Sequence, residues 1–486
     1  MRKGRDCMKG IESEKKDWEG PPPEDLSLPI DLLKPGSEMH EKVLHYLVDR
    51  LELSERHMSN FYARWNVMEE KLQAYISLPD WDSACRRMQE DKKLPKPTPI
   101  VIPYMFATVS TIVTYLLHVF TGRKPLFQVG TYKAETGESS RFMELVLQYN
   151  ADHIRLVRHL AEFLQATQMY GLGVLRVNWE VKVRPRTVWK TTPEGQRYSI
   201  REERTVYEGN SVFAQDPYLF FPDPSVPMVD VNKQGEFVFW RTFEGQHQLK
   251  KMEADGIWKY VDKGQDDLPK NNSNELNSRA MLSRGYGAPG VQPDSVTTRL
   301  RRVRQIDQGT VEIIPAELGL GDSERPEKWL FTIKNKSQIL QAEPLGADHG
   351  MHPVAVAEPY SLGRAFGAPG ITDYLGPIQD MVSWLINARQ DNVRQVLNNM
   401  FVVDPNMVNI PDLKNPGPGK LIRLKNSALG RDVRSAIMQL QMQDVTTGHT
   451  QDADRFMRLG QQLSAVTENI LGMQDSGGRK TASEVR

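Results

Sequence analysis

The stretch from 370 to 423 constrains this chain most, because it joins a long two-faced helix to a turn-rich excursion. Ile371, Leu375, Ile378, Val382, Ile386, Val393, Leu397 and Met400 recur three, four or seven apart and so share one side of a helix. Pro377 suits its first turn, where a missing N–H costs nothing. A second stripe, about a quarter-turn away, consists of Gln379, Ser383, Asn387, Gln390, Arg394 and Asn398. A solvent-facing helix usually carries paired Lys and Glu, whereas this stripe is polar and nearly uncharged. Two readings fit it: a helix buried between layers of an α-helical core, or one wall of a polar passage that something charged must travel without sticking. At about 1.5 Å per residue the helix is roughly 40 Å long. It breaks into Pro405, Pro411, Pro416, Gly417, Pro418 and Gly419, a compact excursion.

The rest of the chain reads as helices first and strands later. Residues up to about 36 are polar and proline-rich, an extended arm. Val43, Tyr46, Leu47 and Leu51, then Met58, Tyr62, Trp65, Met68 and Leu72, are spaced for one helical face. Residues 97–122 contain no Asp, Glu, Lys or Arg. Pro99, Pro103, several hydroxyls and His118 favour a core helix there over a membrane span. A further helical pattern ends at Gly171 and Gly173, where the period changes to two. Leu175, Val177, Trp179, Val181 and Val183 then alternate with Arg176, Asn178, Glu180, Lys182 and Arg184. Asp216-Pro217 and Asp223-Pro224 mark tight turns, and more strands are expected at 237–243, 311–315 and 329–333.

Residues 262–296 read as a mobile surface loop by composition. Arg299, Arg301, Arg302 and Arg304 open the following strand, either as a phosphate contact, a solvated strand face or a match for an acidic neighbour. Thr446-Thr-Gly-His-Thr reads as a small polar loop. Phe456, Leu459, Leu463, Val466 and Ile470 form a narrow helical seam stopped by Gly472.

Composition narrows the function. Lys plus Arg and Asp plus Glu are equal at 62 each, so the chain carries no net charge. A protein gripping duplex DNA over a broad face would be strongly basic. Two cysteines, Cys7 and Cys85, make no disulfide framework and fit a reducing cytoplasm. The N-terminal 26 residues lack the apolar run of a secretory signal. Catalytic signatures are missing. Gly417-Pro-Gly-Lys420 and the Gly477–Thr481 run lack phosphate-loop spacing, His349 and His352 have no third ligand nearby, and no GxSxG elbow occurs. No catalytic residue, metal ligand or cofactor is therefore expected.

The order of several motifs resembles the portal proteins of tailed bacteriophages, most of all those of short-tailed phages. The motifs are IPYMFATVSTIVTYLLHVFTGRKPLFQV, YGLGVLRVNWE, AQDPYLFFPDPS, HPVAVAEPY, LGPIQDMVSWLINARQDNVRQ, TENILGMQ and KTASEV. The resemblance implies an α+β portal-like fold, with a mostly helical wing and stem, a β-rich wing insertion and a small clip. It divides the chain into an N-terminal arm (1–37), helical wing (38–172), β-rich wing with its flexible loop (173–345), stem helix region (346–400), clip and return (401–445), and a tunnel loop, tunnel helix and start of a crown (446–486). It also implies a homo-oligomeric ring, commonly of twelve subunits, at one capsid vertex of the virion, made in the host cytoplasm. Its partners would be double-stranded DNA in the channel, a terminase motor, a head-tail adaptor, and major capsid and scaffolding proteins, without stable membrane insertion.

Carried onto this sequence, the polar stripe lines the DNA channel, and Thr446, Thr447 and His449 belong to the tunnel loop. Asp404, Asn415, Lys420 and Arg423 form the clip's docking surface. A polar wall with few cations suits a channel, since each phosphate–cation contact adds salt-dependent affinity and slows passage. The competing functions are a nucleic-acid-processing packaging enzyme and a membrane-attached helical scaffold.

Overall fold

A computed structural model describes residues 29–73, 100–130, 137–191, 197–264, 268–269, 271, 273–281, 303–363, 365–397, 400–414, 423–426, 437–440 and 446–466. The fold is α+β, and the chain divides into two compact units that each draw on separated stretches of sequence. One takes 1–50, 241–270 and 280–348; the other takes 51–240, 271–279 and 349–486. Helix α1 (Glu38–Leu72) and a strand at Phe237–Gly245 are continuous elements that pass from one unit into the other.

Helix α1 starts where the Ser37 hydroxyl accepts the His40 N–H at 3.1 Å, satisfying a first-turn donor. Its expected face is buried: Val43, Leu47, Leu51, Met58, Tyr62 and Trp65 are all closed to solvent.

The second unit is mainly helical, with α2 (Tyr104–Thr121), α3 (Gly137–His153) and α4 (Leu156–Tyr170). At the end of α4, Gly171 has φ 77° and donates to Thr167 O. A Cβ there would lie 2.1 Å from the Ala368 carbonyl oxygen, and one on Gly370 would lie 2.6 Å from Gln168 O. Two chain passages thus meet backbone to backbone, which only glycine permits. Nearby, Trp65 Nε1 donates to Tyr170 O (2.9 Å) and the Tyr62 hydroxyl to Tyr218 O (3.1 Å), anchoring α1 to the first Asp-Pro turn. Asp216 accepts from Tyr218 N, and Asp223 accepts from Ser225 N and Glu236 N, so both turns are closed by their aspartates.

Strands β1 (Gly173–Thr191) and β2 (Arg197–Gln215) form a long antiparallel ribbon with one register shift, between Lys182 and Val183. A short strand at Val354–Ala357 pairs only with Gly173–Arg176, so the remaining length is two-stranded. The expected alternation is present, but Val177, Trp179, Val181 and Val183 face solvent in the isolated chain.

In the first unit, the later half of β4 (Phe237–Gly245, following a three-residue β3 at Phe220–Pro222) leads into β5 (Val303–Ile313), β6 (Glu327–Lys334) and β7 (Gln338–Pro344). Helix α5 (Gln246–Ala254) puts Leu249 with Trp258, Val261, Ile306 and Leu340. The sheet also buries polar groups. Arg241 Nε meets Asp307 Oδ1 at 2.6 Å with both side chains fully covered, and Gln305 donates to the other carboxylate oxygen at 2.7 Å. Lys334 Nζ donates to Val261 O and Lys263 O, both at 2.9 Å.

Four expectations change. The composition of 262–296 suggested a mobile loop, yet Asn274–Met281 is helical (α6): Leu276 is buried, and Asn277 brackets the backbone of Asn271. Arg304 is buried on β5 rather than on a solvated face, while Arg299, Arg301 and Arg302 lie outside the described residues. Helix α2 is not a core helix along its length, since only Met105, Thr108 and Val109 are buried and Phe106, Tyr115, Val119 and Phe120 are exposed. It is the one described helix long and apolar enough to cross a membrane by length and composition. Finally, the C-terminal helix ends at Ser464, where Ala465 turns left-handed (φ 55°), well before Gly472.

Candidate functional site

The long helix α7 runs Ile371–Leu397 and carries Pro377 in its second turn. Its start is closed by Asp373, whose carboxylate accepts the Gly370 N–H at 2.8 Å. Ile371, Leu375, Ile378 and Val382 join Leu72, Met105, Val109 and Met169 in one buried cluster, against which Ile386 and Phe456 also pack. The apolar face expected from the sequence is therefore the core face.

The polar stripe has a different role over its first half. Gln379 is 1% exposed; its Oε1 accepts the Met105 N–H at 2.9 Å while its Nε2 donates to Lys71 O at 2.8 Å. The Ser383 hydroxyl accepts the Ile102 N–H at 3.2 Å. Asn387 both accepts from Ile100 N (2.9 Å) and donates to Ile100 O (3.0 Å). Three side chains one helical turn apart thus bind the extended backbone that leads into α2.

Gln379 and Ser383 are thus buried and engaged within the chain rather than open to a passage, and Asn387, half-exposed, has its amide on Ile100. The physical reason is the demand of residues 100–105, where Pro103 interrupts regular pairing and the first N–H groups of α2 have no intrahelical acceptor. Amides answer that demand without a charge to desolvate, being donor and acceptor at once. The uncharged run beside Pro99 and Pro103 is a sequence signal that could have pointed to this partner. Gln390 is half-buried, the Arg394 side chain is outside the described side chains, and Asn398 is outside the described residues. On another side of α7, Tyr374, Met381 and Trp384 are exposed, Trp384 by 61%.

Helix α8 (Thr446–Ser464) packs along α7. Thr446, Thr447 and His449 lie in its first turns rather than in a loop: tertiary packing outweighs the weak helix preference of Thr-Thr-Gly. The Tyr104 hydroxyl donates to Met457 O at 3.0 Å, and a Cβ on Gly460 would lie 2.6 Å from that hydroxyl oxygen. Of the seam, Phe456 packs inward and Val466 is buried, whereas Leu459 and Leu463 remain about half exposed; Ile470 lies outside the described residues.

Among the described residues after α7, two short strands pair. Strands β9 (Met400–Val403) and β10 (Ile437–Leu440) pair antiparallel, the short strand at Val354–Ala357 being β8. Met407 and Val408 are buried against Val403 and Ile437. Asp404 is a turn residue: its carboxylate accepts from Asn406 N (2.9 Å). Arg423 grips Asp412 with two hydrogen bonds of 2.9 and 3.0 Å, and this pairing holds the Asp412 carboxyl well below the usual carboxylate range. Lys425 Nζ donates to Pro405 O at 2.7 Å. Asn415 and Lys420 lie outside the described residues.

Chemistry-bearing groups are sparse. Among the described residues no group of three or more His, Cys, Asp or Glu is placed to hold a metal ion. His352 Nε2 lies 2.8 Å from Gly235 O, a structural role. Glu358 is half-buried beside Asp230 with Oε1 lacking a partner; burial, helped by the Asp230 charge, pushes its carboxyl up to about 7.

A short β-paired module thus follows the long packed helix α7, and α8 then packs along that helix. Residues 233–478, half of the chain, match the family described as Phage SU10 portal protein. The chain belongs to the phage portal protein family. No curated protein matches it. The match runs from β4 through α8 and so includes the helix α7 and the β-paired module. Portal proteins of this family are structural components of the phage capsid.

Proposed function

We propose that this portal protein closes into a ring-shaped DNA channel at one capsid vertex, serving genome packaging, head-tail joining and DNA ejection. The observation that carries this reading is the amount of apolar surface left open by a chain that matches the portal family. Phe142, Leu145, Val146 and Tyr149 are each at least half exposed along one side of α3, and Trp384, Leu459 and Leu463 add to them on α7 and α8. Soluble monomers rarely leave contiguous apolar faces of this kind uncovered. Head-to-tail packing between identical copies, closing by rotation, would cover them.

In this reading 38–345 is mostly wing, α7 the stem helix, 401–430 the clip and 446–466 the tunnel segment. The channel-facing part of the polar stripe is its distal end, Gln390, Arg394 and Asn398, beyond the residues bound to 100–105. Asp404, Asn415, Lys420 and Arg423 sit on the clip, where the terminase motor and later the head-tail adaptor would dock. The Asp412–Arg423 pair keeps that module in shape. Thr446, Thr447 and His449 would face the tunnel from the first turns of α8.

Packaging rate is the functional test. Deleting 415–419 should leave ring assembly intact and abolish motor docking. Packaging unchanged by the deletion would overturn the clip assignment.

A further inference from the structure

The β1–β2 ribbon carries positive charge that packing within the chain does not neutralise. Its two strands carry eight Arg and Lys against four Glu, within a chain of zero net charge. Register places Arg184 directly opposite Arg204, and Arg186 opposite Glu202. Directly opposed residues share a face, and like charges placed so repel. Glu202 is taken by Lys190 at 2.6 Å, and Glu180 by Lys182 at 2.9 Å. That leaves Arg184, Arg186 and Arg204 exposed on one face without a carboxylate partner among the described residues. The like-charged Arg184–Arg204 pair is a place where a bound anion would be favoured.

We propose that this face contacts the phosphate backbone of duplex DNA. A protein interface puts apolar groups at its centre and depletes charge there, whereas here the centre is guanidinium. Arginine forks match phosphate oxygens in a bidentate manner. A two-stranded ribbon is also narrow enough to lie in the major groove, and residues two apart on a strand repeat about every 6.8 Å along it. The binding reads no sequence: backbone contacts position a protein without specifying bases. It does not require α7 to line a channel.

The test uses the full chain in its assembled form and covalently closed circular duplexes of two unrelated sequences, which cannot enter a ring by an end. Binding is followed over a salt series. Arg184→Gln with Arg204→Gln should lower affinity equally for both circles and reduce the slope of log affinity against log salt by about 0.9 for each phosphate no longer neutralised. Arg184→Lys with Arg204→Lys should retain the slope, and Arg201→Gln on the opposite face should leave it unchanged. The double Gln variant should melt no lower than the parent, because a repulsion has been removed. An unchanged slope overturns the proposal. So does binding of poly-glutamate tighter than that of the circles at matched charge, which would assign the face to an acidic protein. A fall in melting temperature with binding that the Lys pair does not restore overturns it as well. A ring that fails to pass linear DNA would count against the channel and leave this result standing.

Discussion

In the β4–β7 sheet, Arg241, Asp307, Gln305 and Lys334 are buried, with Arg241 and the Gln305 amide nitrogen on the Asp307 carboxylate and Lys334 on two carbonyls, and Trp329, Phe331 and Ile339 are buried in the same sheet. In the helices α2, α3 and α7 and on the β1–β2 ribbon, Phe106, Phe142, Trp384, Trp179 and Trp189 point outward with nothing on them. The sheet completes its interior alone; the helices and ribbon leave surfaces for something else to complete. A portal needs both kinds of region, one that holds shape in every copy and one that acquires its final neighbours on assembly.

The sharpest way to break this comparison is to damage the sheet's interior. Asp307→Ala strands the Arg241 charge in a dry core and should cost about 3–5 kcal/mol, read as a shift of the denaturation midpoint. Replacing both partners with apolar residues of similar volume should cost far less. If both variants cost the same, the loss does not come from leaving the Arg241 charge without its carboxylate.

The next test concerns the polar stripe. Gln379→Leu leaves Met105 N and Lys71 O unpaired in the core and should destabilise by roughly 1–3 kcal/mol. A stripe residue facing open solvent would tolerate the change within about 0.5 kcal/mol, so thermal melting decides between the placements.

That stripe marks where the sequence was legible and where it was not. Periodicity located α1, α2, α7 and β1, and the Asp-Pro turns appear as expected, because each of those signals is local. The use of Gln379, Ser383 and Asn387 was not local: it depended on a backbone segment more than 250 residues away in sequence that needed acceptors. The same holds for Thr446 and Thr447, made helical by packing on α7, and for Asn274–Met281, whose polar composition hid the buried Leu276. The half-exposed ribbon shows the converse: its alternation was readable, but that helix residues such as His153 and His159 cover it only near Tyr207 and Phe213 was not.

A smaller effect should appear with pH. Between about 4.5 and 7 the Glu358 carboxyl is ionised in the unfolded chain but keeps its proton in the folded one. The folded state then binds more protons, so stability from this group is present below about 4.5 and is lost as pH rises through 7. Glu358→Gln should therefore raise the melting temperature at pH 8 relative to the parent and leave it unchanged near pH 4. An equal shift at both pH values would remove the carboxyl as the cause.

The smallest effect on folding should accompany the largest on assembly. Phe142→Ser and Trp384→Ser change exposed side chains, so the isolated chain should keep its stability within about 0.5 kcal/mol. If neighbouring copies cover these side chains, the variants should lose ring formation in sedimentation. Variants that assemble like the parent would show that those faces serve another purpose.

The central claim is that the open apolar faces are completed by other copies of the same chain in a closed ring. Electron micrographs of the purified portal, taken at concentrations well above micromolar and with the other capsid proteins supplied, test it most directly. The account expects closed rings with a central hole. Particles that remain single chains under those conditions would contradict it.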